Sequence, residues 1–143
     1  MRSIVLASVA LFSLVTVPAF AANEIFFGDD SGEYANDGEC DDPRFVGAGM
    51  TTTDLLSDDL LKDATDCKAA FDAGKLSLNG VAEDGTIDFG DDAGDYANDG
   101  ECDDLRFTGA GMTQTALLQD DILHDATDCK AAFDAGKIEL LVK

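Results

Sequence analysis

The chain has 143 residues, 30 of them acidic against 9 basic, for a formal net charge of −21 at pH 7. Such a balance excludes nucleic acid and anionic membrane as partners, because their phosphates call for Lys and Arg. The same charge opposes compaction by self-repulsion, which bound cations or high salt would relieve.

In chain order, Arg2 precedes an apolar run, Ile4–Phe20, and Ala19-Phe20-Ala21 has the small-x-small pattern of signal-peptidase cleavage. Residues 1–21 are therefore expected to be a signal peptide, cut after Ala21 with Ala22 as second choice. The run is short for a membrane span of about 20 residues. The mature protein is expected to be secreted or periplasmic, with no membrane attachment after cleavage.

Beyond the leader, the chain repeats itself at an offset of 62 residues. Ile25–Leu78 aligns without gaps on Ile87–Leu140, and 42 of the 54 positions are identical. A match of this length marks a tandem duplication. The repeats are assigned to residues 22–78 and 87–143, joined by a polar linker at 79–86.

Each repeat reads as strand, loop, helix, strand. Ile25-Phe26-Phe27 and Ile87-Asp88-Phe89 are expected strands ended by Gly28 and Gly90. An acidic, glycine-rich loop follows, through Gly49 and Gly111. Leu55, Leu56, Leu60, Leu61 and Ala64 then recur at helical spacing, as do Leu117, Leu118, Ile122, Leu123 and Ala126. A short helix is expected over Asp66–Lys75, with Thr65 or Asp66 as N-cap and Gly74 as C-terminal glycine. Leu76-Ser77-Leu78 and Ile138-Glu139-Leu140 close the repeats as strands, expected to pair with the opening ones. The fold class is α+β: two small tandem units with short strands, a long acidic loop and short helices. Units this small bury little core and commonly depend on disulfides or metals.

Four cysteines in an exported chain read as a disulfide framework. They permit three pairings, and the duplication favours closure within each copy, Cys40 with Cys67 and Cys102 with Cys129. Zinc is disfavoured, since no C-x-x-C pair occurs and His124 is matched by Lys62 in the other copy.

Both cysteines of each repeat sit inside acidic clusters. Cys40 lies within Asn36-Asp37-Gly38-Glu39-Cys40-Asp41-Asp42, and Cys67 ends Asp63-Ala64-Thr65-Asp66. Bridging them would gather the two clusters, with Asp30 approaching from the start of the repeat. Carboxylates, an amide and backbone carbonyls supply the 6–8 oxygen ligands that calcium takes, whereas magnesium demands stricter octahedral geometry. The candidate ligands are Asp30, Asn36, Asp37, Glu39, Asp41, Asp42, Asp63 and Asp66. In the second repeat they are Asp92, Asn98, Asp99, Glu101, Asp103, Asp104, Asp125 and Asp128. One calcium ion is expected per repeat. The site is not an EF-hand: with Gly38 at loop position 6, Ala35 falls at position 3 and Arg44 at position 12, where acids are required. Arg44 and Arg106, each flanked by a phenylalanine, read as internal clamps on a carboxylate.

Catalysis finds little support. His124 has no counterpart in the first copy, and Ser31, Ser57 and Ser77 are matched by Ala93, Gln119 and Glu139. A carboxylate pair could hydrolyse a glycan, but a small unit without tryptophan offers no aromatic-lined sugar cleft. The protein is not expected to be an enzyme.

The stretch F-G-D-D-x-x-x-Y-A-N-D-G-E-C-D-D-x-R-F-x-G-x-G-M, followed by D-A-T-D-C, resembles a short acidic repeat of secreted bacterial proteins, found in tandem or appended to trypsin-like or caspase-like peptidases. The resemblance covers both copies and implies an extracytoplasmic accessory module. Taken together, the expected function is that of a calcium-binding structural or interaction module, with an extracytoplasmic protein or glycan as its partner. A salt-adapted solubility protein without a specific metal site is the alternative, and a carboxylate glycan hydrolase a more distant one.

Overall fold

The computed structural model describes residues 25–142, so the expected signal peptide lies outside the described residues. The fold is α+β, built twice. In the first repeat β1 (Phe45–Gly47) pairs antiparallel with β2 (Leu76–Leu78), and α1 (Ala64–Asp72) lies between them in sequence. The second repeat reproduces this with β3 (Phe107–Gly109), α2 (Ala126–Asp134) and β4 (Ile138–Leu140). Single 3-10 turns at Ser57–Asp59 and Gln119–Asp121 precede the helices.

Three expectations are corrected. The closing strands pair with Phe45–Gly47 and Phe107–Gly109, inside the stretch read as loop, and not with the opening segments. Ile25 and Phe27 are buried and Phe26 exposed, as alternation predicts. However, the Phe26 amide donates to Val142 O, and Gly28 bridges Lys62, so no ladder forms there. The leucine-rich segment after Asp54 is no helix either. Leu56 is extended and Leu61 turns into the left-handed region at φ 62, which stops helical propagation. Finally, α1 starts at Ala64 with Asp63 at the N-cap position, earlier than Thr65 or Asp66. The Asp63 side chain makes no cap bond; Asp30 substitutes from a distance, accepting from the Thr65 amide and hydroxyl at 2.8 and 2.7 Å. Gly74, at φ 68 just past the C-cap Ala73, ends the helix as expected.

Each repeat closes on a disulfide, Cys40–Cys67 and Cys102–Cys129, with the cysteines 27 residues apart in both. On loop-closure entropy, a ring of that size stabilises by about 3.5 kcal/mol. Phe27 stacks on Phe45, with Phe71 edge-on to both, and Phe89, Phe107 and Phe133 repeat the cluster.

The two repeats also complete one another. Asp88 N–H donates to Gly80 O in the linker, and at the equivalent place in the first repeat Phe26 N–H donates to Val142 O at the far end of the chain. Val142 joins the core of Ile25, Phe27 and Phe45. The tail of the second repeat thus closes onto the first as the linker joins the first to the second. Midway, Leu56 and Leu118 form an antiparallel bridge, flanked by Ser57 N–H to Leu117 O at 3.2 Å and Gln119 N–H to Leu55 O at 3.1 Å. The linker itself is folded, with Val81 bridging Ile87 and Ala82 N–H donating to Thr86 O.

Candidate metal centre

The disulfide brings the N-D-G-E-C-D-D loop onto the first turn of α1, and with it Asp41 onto Asp63. The Asp41 amide donates to Asp63 Oδ2 at 2.9 Å, and Gly38 N–H donates to Asp66 Oδ2 at 2.8 Å. The second repeat matches, with Asp103 N–H to Asp125 Oδ2 at 2.9 Å and Gly100 N–H to Asp128 Oδ2 at 2.8 Å. These bonds are why the helix-start carboxylate does not cap its own helix: it is turned toward the acidic loop.

Asp41 and Asp63 are only 4% and 2% exposed, and Asp103 and Asp125 are 3% and 2%. By strict hydrogen-bond geometry Asp41 Oδ2, Asp63 Oδ1, both carboxylate oxygens of Asp103, and Asp125 Oδ1 are buried and accept nothing among the described residues. The Thr51 and Thr113 hydroxyls and the Asn36 and Asn98 amides nevertheless lie near enough to favour the charged forms of Asp41, Asp103, Asp63 and Asp125. A buried, unpartnered polar atom is costly, and more so when it carries charge. Burial, followed by the charges of Asp37 and Asp63, pushes the Asp41 carboxyl up to about 6. Burial, Asp99 and Asp125 do the same to Asp103, also to about 6. Asp63 and Asp125 are raised by burial too, opposed by the amides donated to them from Asp41 and Asp103.

In the second repeat Asp103 and Asp125 border a small, partly open space of about 10 Å³, lined also by Gly94, Tyr96, Ala97, Asp121 and His124. That is room for one water-sized particle. The repeat offset places Gly32, Tyr34, Ala35, Asp41, Asp59, Lys62 and Asp63 at the matching positions of the first copy.

In each repeat a carboxylate oxygen and the two cysteine sulfurs, Cys40-Asp63-Cys67 and Cys102-Asp125-Cys129, lie within 4.8 Å of one another, a grouping that could hold a metal ion. The sulfurs are in disulfides, however, and a metal-binding cysteine is a thiolate. An ion held there would therefore be met by oxygens, a donor set for hard cations rather than zinc.

The remaining candidates are placed unequally. Asp42 and Asp104 are withdrawn from the ligand set. Each is fully buried and engaged by its arginine: Arg44 Nε and Nη2 grip both Asp42 oxygens, at 3.0 Å and 2.6 Å, and Asp42 also accepts from the Arg44 and Leu61 amides. Arg106 holds Asp104 in the same way. The expected clamp is thus present, and it does more than neutralise charge. Arg44 Nη1 donates to Phe26 O and to Leu141 O, tying both chain ends of the closed pair.

Glu39 and Glu101 are exposed, and their backbone amides donate to Asp37 and Asp99. Asp37 and Asp66 stand close enough for their charges to act on Asp41 and Asp63. Asp30 also acts on Asp63, while its own carboxyl is lowered by the Thr65 bonds; Asp92 makes the same bonds to Thr127. Asn36 and Asn98 turn the loop in the left-handed region, at φ 67, a conformation that asparagine tolerates better than most residues. Sequence reading missed Asp59 and Asp121. They lie in the leucine segment taken for helix, and the signal available was the D-D pair kept in both copies.

No helix among the described residues is long and apolar enough to cross a membrane, and the two disulfides fit an oxidising compartment. Comparison with protein-family models, curated proteins and solved structures finds no match to this chain.

Proposed function

We propose that the protein is an exported, acidic calcium-binding tandem repeat that serves as a structural or interaction module. The observation that carries this reading is the set of buried carboxylate oxygens without hydrogen-bond partners, at the same place in both repeats. A solubilising acid surface would expose its carboxylates to water, whereas these are nearly inaccessible. Asp41 and Asp63, with Asp103 and Asp125 in the second repeat, would hold one ion each, helped by backbone carbonyls of the loop. Calcium suits an oxygen shell of irregular geometry, and magnesium keeps more of its water.

The ion would neutralise the acidic loop and fix it to the start of the helix, giving each repeat a rigid surface for an extracytoplasmic protein or glycan. Exposed Tyr34 and Tyr96, at equivalent positions, are available to such a partner. The repeat's resemblance to the acidic module of secreted bacterial proteins implies an extracytoplasmic accessory role, and the signal-peptide pattern at residues 1–21 fits export.

A melting scan tests it. With a dissociation constant of order 10 µM, about 1 mM calcium stabilises a folded unit by about 2.7 kcal/mol per site. The melting temperature should therefore rise with calcium and fall back with chelator at constant ionic strength. Equal stabilisation by a matched dose of sodium would make the protein a salt-adapted solubility protein instead.

A further inference from the structure

The 3-10 turns lie outside both acidic motifs, yet each brings an aspartate beside the centre. Asp121 lines the same small space as Asp103 and Asp125. Asp59, its equivalent, stands close enough to Asp41 for its charge to bear on that carboxyl. The same two residues also hold the junction between repeats. Asp121 Oδ2 accepts from the Leu118 amide at 2.7 Å, and Asp59 Oδ2 from the Leu56 amide at 2.8 Å. Leu56 and Leu118 are the bridge partners across the junction. Their neighbours exchange the two backbone bonds, Ser57 N–H to Leu117 O and Gln119 N–H to Leu55 O. The Gln119 side chain adds a third contact, accepting from the Leu55 amide at 3.3 Å.

We infer that Asp59 and Asp121 are the third carboxylate ligands of the two cation sites and that, through the junction they hold, the chain binds its two calcium ions cooperatively. The inference rests on the calcium reading above. Without an ion, three carboxylates crowd each centre, and the turn carrying Asp59 or Asp121 is less buried than the residues around Asp41 and Asp63 or Asp103 and Asp125. An ion bound by that carboxylate would stiffen the turn, which is already hydrogen-bonded to the Leu56 or Leu118 amide. The ordered turn presents a fixed edge to the opposite turn, so the second site binds with part of its ordering cost already met.

Calorimetric titration of the purified protein with calcium chloride tests both halves. The wild type should bind two ions with a Hill coefficient above 1 and no greater than 2, the number of sites. Asp121→Asn keeps an oxygen for the Leu118 amide but loses the charge, and should weaken one of the two sites by roughly 10-fold or more. Ser57→Pro deletes the donor to Leu117 O. Position 57 opens its turn, where proline is accepted, and Leu56, at φ −118 and ψ 169, already has the extended backbone that precedes proline. This variant should still bind two ions, with the Hill coefficient lowered toward 1, since the Gln119 contacts to Leu55 remain. Gln119→Pro deletes the donor to Leu55 O and also the side-chain acceptor for the Leu55 amide, so it should lower the coefficient further, and the result does not depend on a single variant's folding.

Unchanged affinity in Asp121→Asn would overturn the ligand assignment. A Hill coefficient of 1 in the wild type, or one undiminished in both proline variants, would overturn the coupling. Failure of the wild type to bind any calcium is a separate outcome and would remove the calcium reading itself.

Discussion

Replacing Asp41 by asparagine removes charge from a buried centre while preserving shape. Asp41 is held up to about 6 by burial and by Asp37 and Asp63, against about 3.9 for an unperturbed aspartate. The gap of about 2 pKa units, at 1.36 kcal/mol each, opposes the charged folded form by about 3 kcal/mol at neutral pH. In chelator, Asp41→Asn should therefore stabilise the protein by about 1–3 kcal/mol, the lower figure allowing for the amide's own unmet hydrogen bonds. For a chain of this size that corresponds to a melting temperature several degrees higher, at roughly 3–6 °C per kcal/mol. Calcium should cancel the advantage, because the wild type gains about 2.7 kcal/mol at each site at 100 times the dissociation constant and the variant forfeits the first site. The assay is thermal unfolding of both proteins, in chelator and in calcium, at one ionic strength. A variant that is destabilised in chelator and gains as much from calcium as the wild type would refute the reasoning.

Two further outcomes concern the buried carboxylates. Arg44→Met strands Asp42, a buried charge, and should cost about 3–5 kcal/mol in denaturant unfolding, whereas Arg44→Met with Asp42→Leu should recover most of that loss. The pH response should change sign with calcium. Asp41, Asp63, Asp103 and Asp125 are all raised in the folded state, so their protonation favours folding. In chelator, that stability should be full below about 3.9 and lost as pH rises through about 6. Calcium affinity should run the other way, falling as pH drops below about 6, because protons compete for the same oxygens. Denaturant unfolding and calcium titration at pH 7, 6 and 5 check both arms.

The duplication, the pairing of Cys40 with Cys67 and the arginine clamp were legible because each is written in identity or spacing. A cysteine inside each acidic cluster leaves few ways to close a small unit, and a lone arginine among aspartates has an obvious partner. Strand pairing was harder to read. Phe45–Gly47 and Phe107–Gly109 carry glycines and only three residues each, too short for alternation to stand out from a loop. The leucine segment misled because its spacing fits a helix. Leu55 and Leu117 are buried while Leu56 and Leu118 remain exposed at the junction, and the left-handed Leu61 and Leu123 interrupt the backbone where no glycine warns of it.

Within the acidic motif, residue type could not separate Asp41 from Asp42. Adjacent in sequence, they face opposite ways: Asp42 meets Arg44, and Asp41 turns to the centre with an oxygen left unpaired. The closure of the second repeat's tail onto the first was invisible for a different reason. It depends on two backbone carbonyls, Leu141 O and Val142 O, and no side-chain pattern records it.

A crystal structure grown in saturating calcium, with anomalous scattering to locate the ions, measures the central claim most directly. The account predicts one ion in each repeat, about 2.3–2.6 Å from carboxylate oxygens of Asp41 and Asp63, and of Asp103 and Asp125. Carboxylates at those four positions that met only water or protein, with no ion beside them, would contradict it.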